Sequence, residues 1–249
     1  MWMTEKCMSA AVQVSELAKV IHEKIIVDRI SFTVEEGEMF GLLGANGSGK
    51  TTTFNMLSGL LSPSTGTMTI LGKGIKELRK SRPGIGFVTQ DDSFYETLTV
   101  RENLEYFSSQ YGVPKADARG RIKKLLSQMR LVEKSGVLAS KLSGGMKKRL
   151  NIACSLVHDP AVVFMDEPTV GLDPVVRREV WSVIEELHRL KKTIIITSHY
   201  MEEIERLCDR VAIMFAGRIV DIGTPAELKA KYKLKQMEDV FAHLVKPVA

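Results

Sequence analysis

No stretch of this chain approaches the ~20 consecutive apolar residues that a helix needs to cross a bilayer, so any membrane role is expected to come through a partner chain. The opening residues Met1-Trp2-Met3-Thr4-Glu5-Lys6 lack the charged-then-apolar pattern of a secretory leader. Cysteine is scarce: Cys7, Cys154 and Cys208 form an odd, widely spaced set with no CxxC pair and no Cys/His cluster, which argues against a disulfide framework or a zinc site and for reduced cytosolic thiols. Internal repeats and low-complexity tracts are missing too. An excess of one charge sign is equally slight, 35 Lys+Arg against 30 Asp+Glu giving +5, which would suit nucleic acid, anionic lipid or nucleotide phosphate alike and decides nothing alone; no nucleic-acid partner is expected. Clusters such as Lys147-Lys148-Arg149 and residues 229–235 read as solvated helix faces.

What is present is an ordinary globular composition, 44% hydrophobic and 26% charged over 249 residues, enough for one α/β domain with a helical insertion. Ile30, Phe32 and Val34 alternate before a Glu35-Glu36-Gly37 turn and read as a half-buried strand. A short apolar strand at 39–43 runs straight into a Gly-rich loop, and a helix over 50–60 leaves it. Further strands are expected at 67–71 and 85–88. A helical pattern then fills 100–131, with Leu104 and Phe107 on one face and Ile122, Leu125, Leu126 and Met129 on another. The core resumes with a strand at 161–165. Asp173-Pro174 caps a helix whose stripe is Val176, Val180, Val183, Ile184, Leu187 and Leu190. A strand at 193–197, a hairpin about Ala216-Gly217 and a capping box at Thr224-Pro225-Ala226-Glu227 complete the chain. Strands alternating with helices imply a largely parallel, helix-covered sheet.

Three elements carry chemistry. The loop Gly44-Ala45-Asn46-Gly47-Ser48-Gly49-Lys50-Thr51 followed by Thr52 fits G-x-x-x-x-G-K-[ST] between a strand and a helix. Its backbone N–H groups and helix dipole suit phosphate, Lys50 suits the β- and γ-phosphates, and the Thr51 hydroxyl suits Mg²⁺. Asp166 ends an apolar strand, where a carboxylate can hold Mg²⁺ through water, and Glu167 adjoins it. Between these two lies Leu142-Ser143-Gly144-Gly145-Met146, a helix start distant in sequence from the first loop.

The order of these elements resembles the ATP-binding cassette (ABC) ATPases over residues 12–245, specifically the nucleotide-binding subunits of ABC transporters. The resemblance implies an α/β P-loop nucleoside-triphosphatase fold with a largely parallel sheet, an antiparallel β segment and an inserted helical subdomain. It places a single domain at 10–245, with core 10–90 and 159–222, insert 91–158 and a C-terminal helical segment 223–245. Glu167 would polarise the attacking water, His199 would be the switch histidine, and Gln90 would sense Mg²⁺ and water alongside Thr51 and Asp166. His22, His158, His188 and His243 keep structural roles. Ser143, Gly144 and Gly145 would close on ATP held by a second copy in a head-to-tail dimer. The cofactors implied are ATP and Mg²⁺, and the further partner is a separate transmembrane permease at the cytoplasmic face of the membrane. The runner-up class, a soluble ABC ATPase of translation or DNA maintenance, usually carries a second cassette or a long coiled coil, and a non-hydrolytic switch would not need Glu167 and His199.

Met146 in LSGGMKKRL, the stretch Leu98-Thr99-Val100-Arg101-Glu102-Asn103-Leu104 and Gln236-Met237-Glu238-Asp239-Val240-Phe241 resemble subunits serving exporters of drugs, polysaccharides and lipids. Residues 91–107 would accept a short helix of the permease, with Phe94, Tyr95 and Leu98 as anchors. One departure concerns the base: Ile21 or His22 stands where the family usually has an adenine-stacking aromatic. Losing a stacking contact removes about 0.5–1.5 kcal/mol, so ATP and GTP are predicted to compete within roughly tenfold of each other. A hundredfold preference for ATP in a competition titration would show that another residue supplies the base contact.

Overall fold

The structure, a computed structural model, describes residues 10–74, 77 and 84–245; Cys7 and the opening residues lie outside them. Its centre is a six-stranded sheet in the order β10-β9-β3-β8-β7-β6. The strands are β3 (Met39–Gly44), β6 (Ile85–Val88), β7 (Val162–Asp166), β8 (Thr193–Ser198), β9 (Arg210–Phe215) and β10 (Arg218–Gly223). All neighbours are parallel except the β9–β10 hairpin. A second, antiparallel sheet of four strands, ordered β2-β1-β4-β5, comprises β1 (Ala10–Ile21), β2 (Lys24–Glu35), β4 (Thr65–Ile70) and β5 (Lys73–Gly74).

Side-chain alternation along the central strands divides the interior in two. Phe40, Leu42, Phe164, Ile195, Ala212 and Met214 face the antiparallel sheet and enclose α1 (Lys50–Leu57) through Phe54, Met56 and Leu57. Met39, Leu43, Val163, Met165, Ile194, Ile196, Val211 and Ile213 face the other way, onto the remaining helices. These are α2 (Val100–Gln110), α3 (Lys115–Gln128), α4 (Gly144–Leu156), α5 (Pro174–Arg189), α6 (Met201–Leu207), α7 (Pro225–Tyr232) and α8 (Met237–Leu244). Helices α2 to α4 all fall between β6 and β7 in the chain. Val240 and Phe241 of α8 are buried in the same cluster.

Several expectations change. The helix after the Gly-rich loop ends at Leu57 rather than 60, because Gly59 turns the chain at φ 73° and closes its N–H on Met56 O at 3.0 Å. The pattern over 100–131 is two helices, since Pro114 starts α3 and cannot continue α2. Strand β4 begins at Thr65 and ends before Leu71, whose φ of 50° leaves the extended region. Leu190 drops out of the α5 stripe, 49% exposed as the helix C-cap, and Trp181, 1% exposed, joins it. Lys148 and Arg149 are not a solvated face: both are buried, Lys148 donating to Gln90 O and Arg149 donating to Met129 O at 3.3 Å. Phe94 is buried too and cannot anchor a partner, whereas Tyr95 is 46% exposed.

The caps behave as read. Asp173 Oδ1 accepts from the N–H groups of Val175 and Val176, both at 3.0 Å, and Thr224 and Glu227 form a reciprocal box. Asp173→Ala leaves two N-terminal donors of α5 without a side-chain partner. Its unfolding free energy is expected to fall by about 1 kcal/mol, read as a lower denaturant midpoint at an unchanged slope; an unchanged midpoint would show the cap to be neutral.

Candidate active site

Strand β3 delivers Gly44 at its C-terminal end, and the loop turns through Gly49, the N-cap of α1 with φ 103°, into Lys50. Gly44 has no room for a side chain: a Cβ there would lie 2.3 Å from Ser48 Oγ and 2.7 Å from Met214 O. Ala45, Asn46 and Gly47 are exposed, and Thr51 is exposed at the first turn of α1 with Thr52 half-buried beside it. Lys50 is only 4% exposed. Its Nζ donates to Gly44 O at 2.7 Å and Ala45 O at 3.2 Å and lies 3.6 Å from Glu167 Oε1. Burial pulls its pKa down, and the charges of Glu167 and Asp166 oppose that pull.

Strands β7 and β8 supply the acids and the histidine. Asp166, the last residue of β7, is buried, and burial pushes its carboxyl pKa up against a hydrogen bond from Thr197. Thr197 serves both acids, because its Oγ1 donates to Asp166 Oδ1 and accepts the Glu167 N–H at 3.0 Å. Glu167 has φ 46°, in the left-handed region where a non-glycine residue is strained. That conformation turns its carboxylate toward the loop, with Oε1 near Lys50 and Oε2 at 2.6 Å from His199 Nδ1. His199 packs in turn on Tyr200, and the Arg177 guanidinium covers the other ring at 4.0 Å. Thr197 gave no motif signal in the sequence beyond standing two residues before His199.

A cleft of about 500 Å³ joins Gly49, Lys50, Thr51, Gln90, Glu167 and His199, with Ile26 and Val170 on its walls. With Asn46, Gly47 and Thr52, nine of the expected residues line it. Gln90 reaches it from a segment pinned to α4: Lys148 Nζ donates to Gln90 O, and Asn151 Nδ2 donates to Thr89 O at 3.1 Å and Asp91 O at 3.4 Å while its Oδ1 accepts from Ser93 N–H. Asn151 carried no signal in the sequence, and Lys148 looked there like part of a solvated face. Ser143, Gly144 and Gly145 do not line the cleft. Ser143 Oγ caps α4 on Met146 N–H, and Gly145 is packed so closely on α5 that a Cβ would meet Val176 Cγ1 at 2.2 Å. His158 and His188 are structural, bonded to Ile85 O at 3.0 Å and Gly37 O at 3.1 Å.

Comparison with known proteins bears on the same residues. The family model described as ABC transporter matches residues 27–170, from β2 through the Gly-rich loop and the signature stretch Leu142-Ser143-Gly144-Gly145-Met146 to just past Glu167. The chain belongs to the ABC transporter family. It is 45% identical over 222 residues to Nod factor export ATP-binding protein I of Paraburkholderia xenovorans, covering 89% of this chain and 73% of that one. Linearmycin resistance ATP-binding protein LnrL of Bacillus subtilis is 42% identical over 217 residues, 87% of this chain and 70% of that one. Among solved structures, cbiO1 from Clostridium perfringens, described as part of the ABC transporter complex cbiONQ, superposes with a TM-score of 0.82 at 31% identity, covering 90% of this chain and 92% of that one. The chain is therefore an ABC ATPase with the P-loop α/β fold.

The residues present fit nucleotide and Mg²⁺. The helix-start loop, the desolvated Lys50 amine and the open face at Gly47, where nothing lies within 4 Å of a built Cβ, offer the donors and the room that a phosphate would need. Among the described residues no three His, Cys, Asp or Glu side chains converge as metal ligands. A hydroxyl, an amide and one carboxylate instead offer the hard oxygens suited to Mg²⁺, which keeps waters and phosphate oxygens for the rest. Gly44→Ala is expected to distort the loop and weaken ATP binding roughly tenfold or more, the scale of 1–3 kcal/mol for overpacking. A fluorescent-nucleotide titration showing wild-type affinity would contradict it.

Proposed function

We propose that this chain is the ATP-hydrolysing subunit of an exporter, working on a separate transmembrane permease at the cytoplasmic face of the membrane. The observation that carries the reading is Glu167, held in a strained backbone conformation with its carboxylate between Lys50 at 3.6 Å and His199 at 2.6 Å. Export rests on the relatives named for Nod factor export and linearmycin resistance. The separate permease rests on the cbiONQ complex of the structural neighbour and on the finding that no described helix is long and apolar enough to cross a membrane.

In this reading Gly44, Ala45, Asn46, Gly47, Ser48, Gly49, Lys50, Thr51 and Thr52 hold the phosphates. Thr51, Asp166 and Gln90 hold Mg²⁺, which when bound would neutralise charge on the β- and γ-phosphate oxygens. Glu167 orients the attacking water and draws on its proton. His199 fixes the Glu167 carboxylate through Oε2 and faces the γ-phosphate, while Lys50 stabilises charge on the transferring group. Ser143, Gly144 and Gly145 contact the nucleotide of a second copy in a head-to-tail homodimer. The core spans 10–90 and 159–222, the helical insert 91–158 and the C-terminal segment 223–245. The pinning of Gln90 by Lys148 supports movement of the insert with nucleotide state. Tyr95, whose hydroxyl lies 3.1 Å from that of Tyr106, and half-buried Leu98 remain the candidate anchors for the permease.

Glu167→Gln is predicted to bind ATP normally and to lose roughly 10² or more in turnover, the range of a positioned base. Slow hydrolysis should trap a dimer with Mg·ATP on size-exclusion chromatography, and near-wild-type turnover would remove Glu167 from this role. Vesicles reconstituted with the native permease should move cargo away from the nucleotide-binding side; movement toward it would overturn export and leave the ATPase standing.

A further inference from the structure

Glu203 lies on α6, beyond the motifs, and is fully buried. An isolated carboxylate in such a place is costly unless other groups compensate it. Its Oε1 accepts from Thr169 Oγ1 and from Trp181 Nε1, both at 2.7 Å, while Oε2 has no hydrogen-bond partner. Burial pushes its carboxyl pKa up, against the pull of neighbouring Ser198, Thr169, Trp181 and Arg177.

The donors come from segments that lead to the reacting residues. Thr169 is fully buried in the turn that follows Glu167, a turn closed by the Val170 N–H on Glu167 O at 3.2 Å. Trp181 is on α5, whose first turn abuts the signature glycine through Val176. Glu203 itself sits one turn into the helix that follows His199, tied back by the Ile204 N–H on Tyr200 O at 3.3 Å. One buried carboxylate therefore joins the turn bearing Glu167, the helix capped by Asp173 and the segment bearing His199.

We propose that Glu203 is a positioning residue for ATP hydrolysis, holding the Glu167 turn and the His199 segment in one fixed relation through Thr169 and Trp181. The proposal rests on the assignment of Glu167 and His199 as the hydrolytic pair. Apolar packing alone would hold α6 against α5. A single acceptor shared by the two donors also fixes direction, because Thr169 cannot shift without losing its bond or pulling α6 with it. Strand pairing brings the ends of β7 and β8 together, and this frame holds the segments beyond them, where Glu167 and His199 meet at 2.6 Å.

The test uses the purified full chain, with steady-state ATPase measured across ATP concentration for Glu203→Leu, Thr169→Val, the double variant and Glu167→Gln. Glu203→Leu removes the shared acceptor; Thr169→Val keeps the volume and removes the donor. Each is expected to lower kcat on the order of tenfold or more, the scale set by misplacing a reacting group by an ångström or less, with the ATP KM within about twofold of wild type. The double variant should be no slower than the slower single, since both cut the same link. A kcat within twofold of wild type for either folded single variant, a change confined to KM, or additive losses would overturn the proposal. If Glu203→Leu does not fold, Thr169→Val decides alone by the same criteria. Unimpaired turnover in Glu167→Gln would instead strike the underlying hydrolytic assignment, so the two failures are separable.

Discussion

Three parallel strands that end at the same level are the constraint on which the site depends. In the register of β3, β8 and β7, Leu43 stands opposite Ser198 and Thr197 opposite Asp166. The loop that leaves β3, the histidine that follows β8 and the acids that end β7 are thereby side by side before any side chain chooses a rotamer. A slip of one residue in any of these pairings would send the alternating apolar side chains to the wrong face, so the two interior layers enforce the register that the chemistry requires. Thr197 then completes the alignment locally, with one hydroxyl bonded to Asp166 and to the Glu167 N–H.

The site concentrates unfavourable features that the surrounding packing sustains. Lys50 and Asp166 are buried, each with its pKa displaced toward the neutral form by desolvation. Glu167 adopts a backbone conformation that disfavours a side chain. Buried opposite charges facing one another reduce these costs, and a bound nucleotide with its metal would compensate them further. Such tension is expected where charge must be ready before a substrate arrives, because preorganised groups need not reorient during reaction.

Much of the chain's organisation was legible because local chemistry specified it. Asp173-Pro174 and Thr224 through Glu227 announce helix starts by the hydrogen bonds that their side chains make to nearby N–H groups, and the strand patterns on either side of Ala216-Gly217 announce a hairpin, where the structure has positive φ at both residues. The errors arose where distant packing overrode a local pattern. Lys148 and Arg149 look like surface cations by composition, yet main-chain carbonyls far along the sequence, Gln90 O and Met129 O, accept from them. Phe94 follows a polar segment and still sinks into the helical core. Leu190 matches the α5 period but falls at the helix end, where the chain turns away from the interior.

Sequence alone therefore determined the fold class and picked out the candidate phosphate loop from Gly44 to Thr51 and the candidate acids Asp166 and Glu167, because each rests on contiguous residues whose spacing carries its own chemistry. Tertiary structure alone decided that Thr197 bridges the acids, that Lys148 and Asn151 fasten the Gln90 segment, and that Glu203 gathers Thr169 and Trp181. These are pairings between residues 22 to 62 positions apart. No local periodicity encodes such a partner, since it is selected only when strands and helices from separate parts of the chain are packed together.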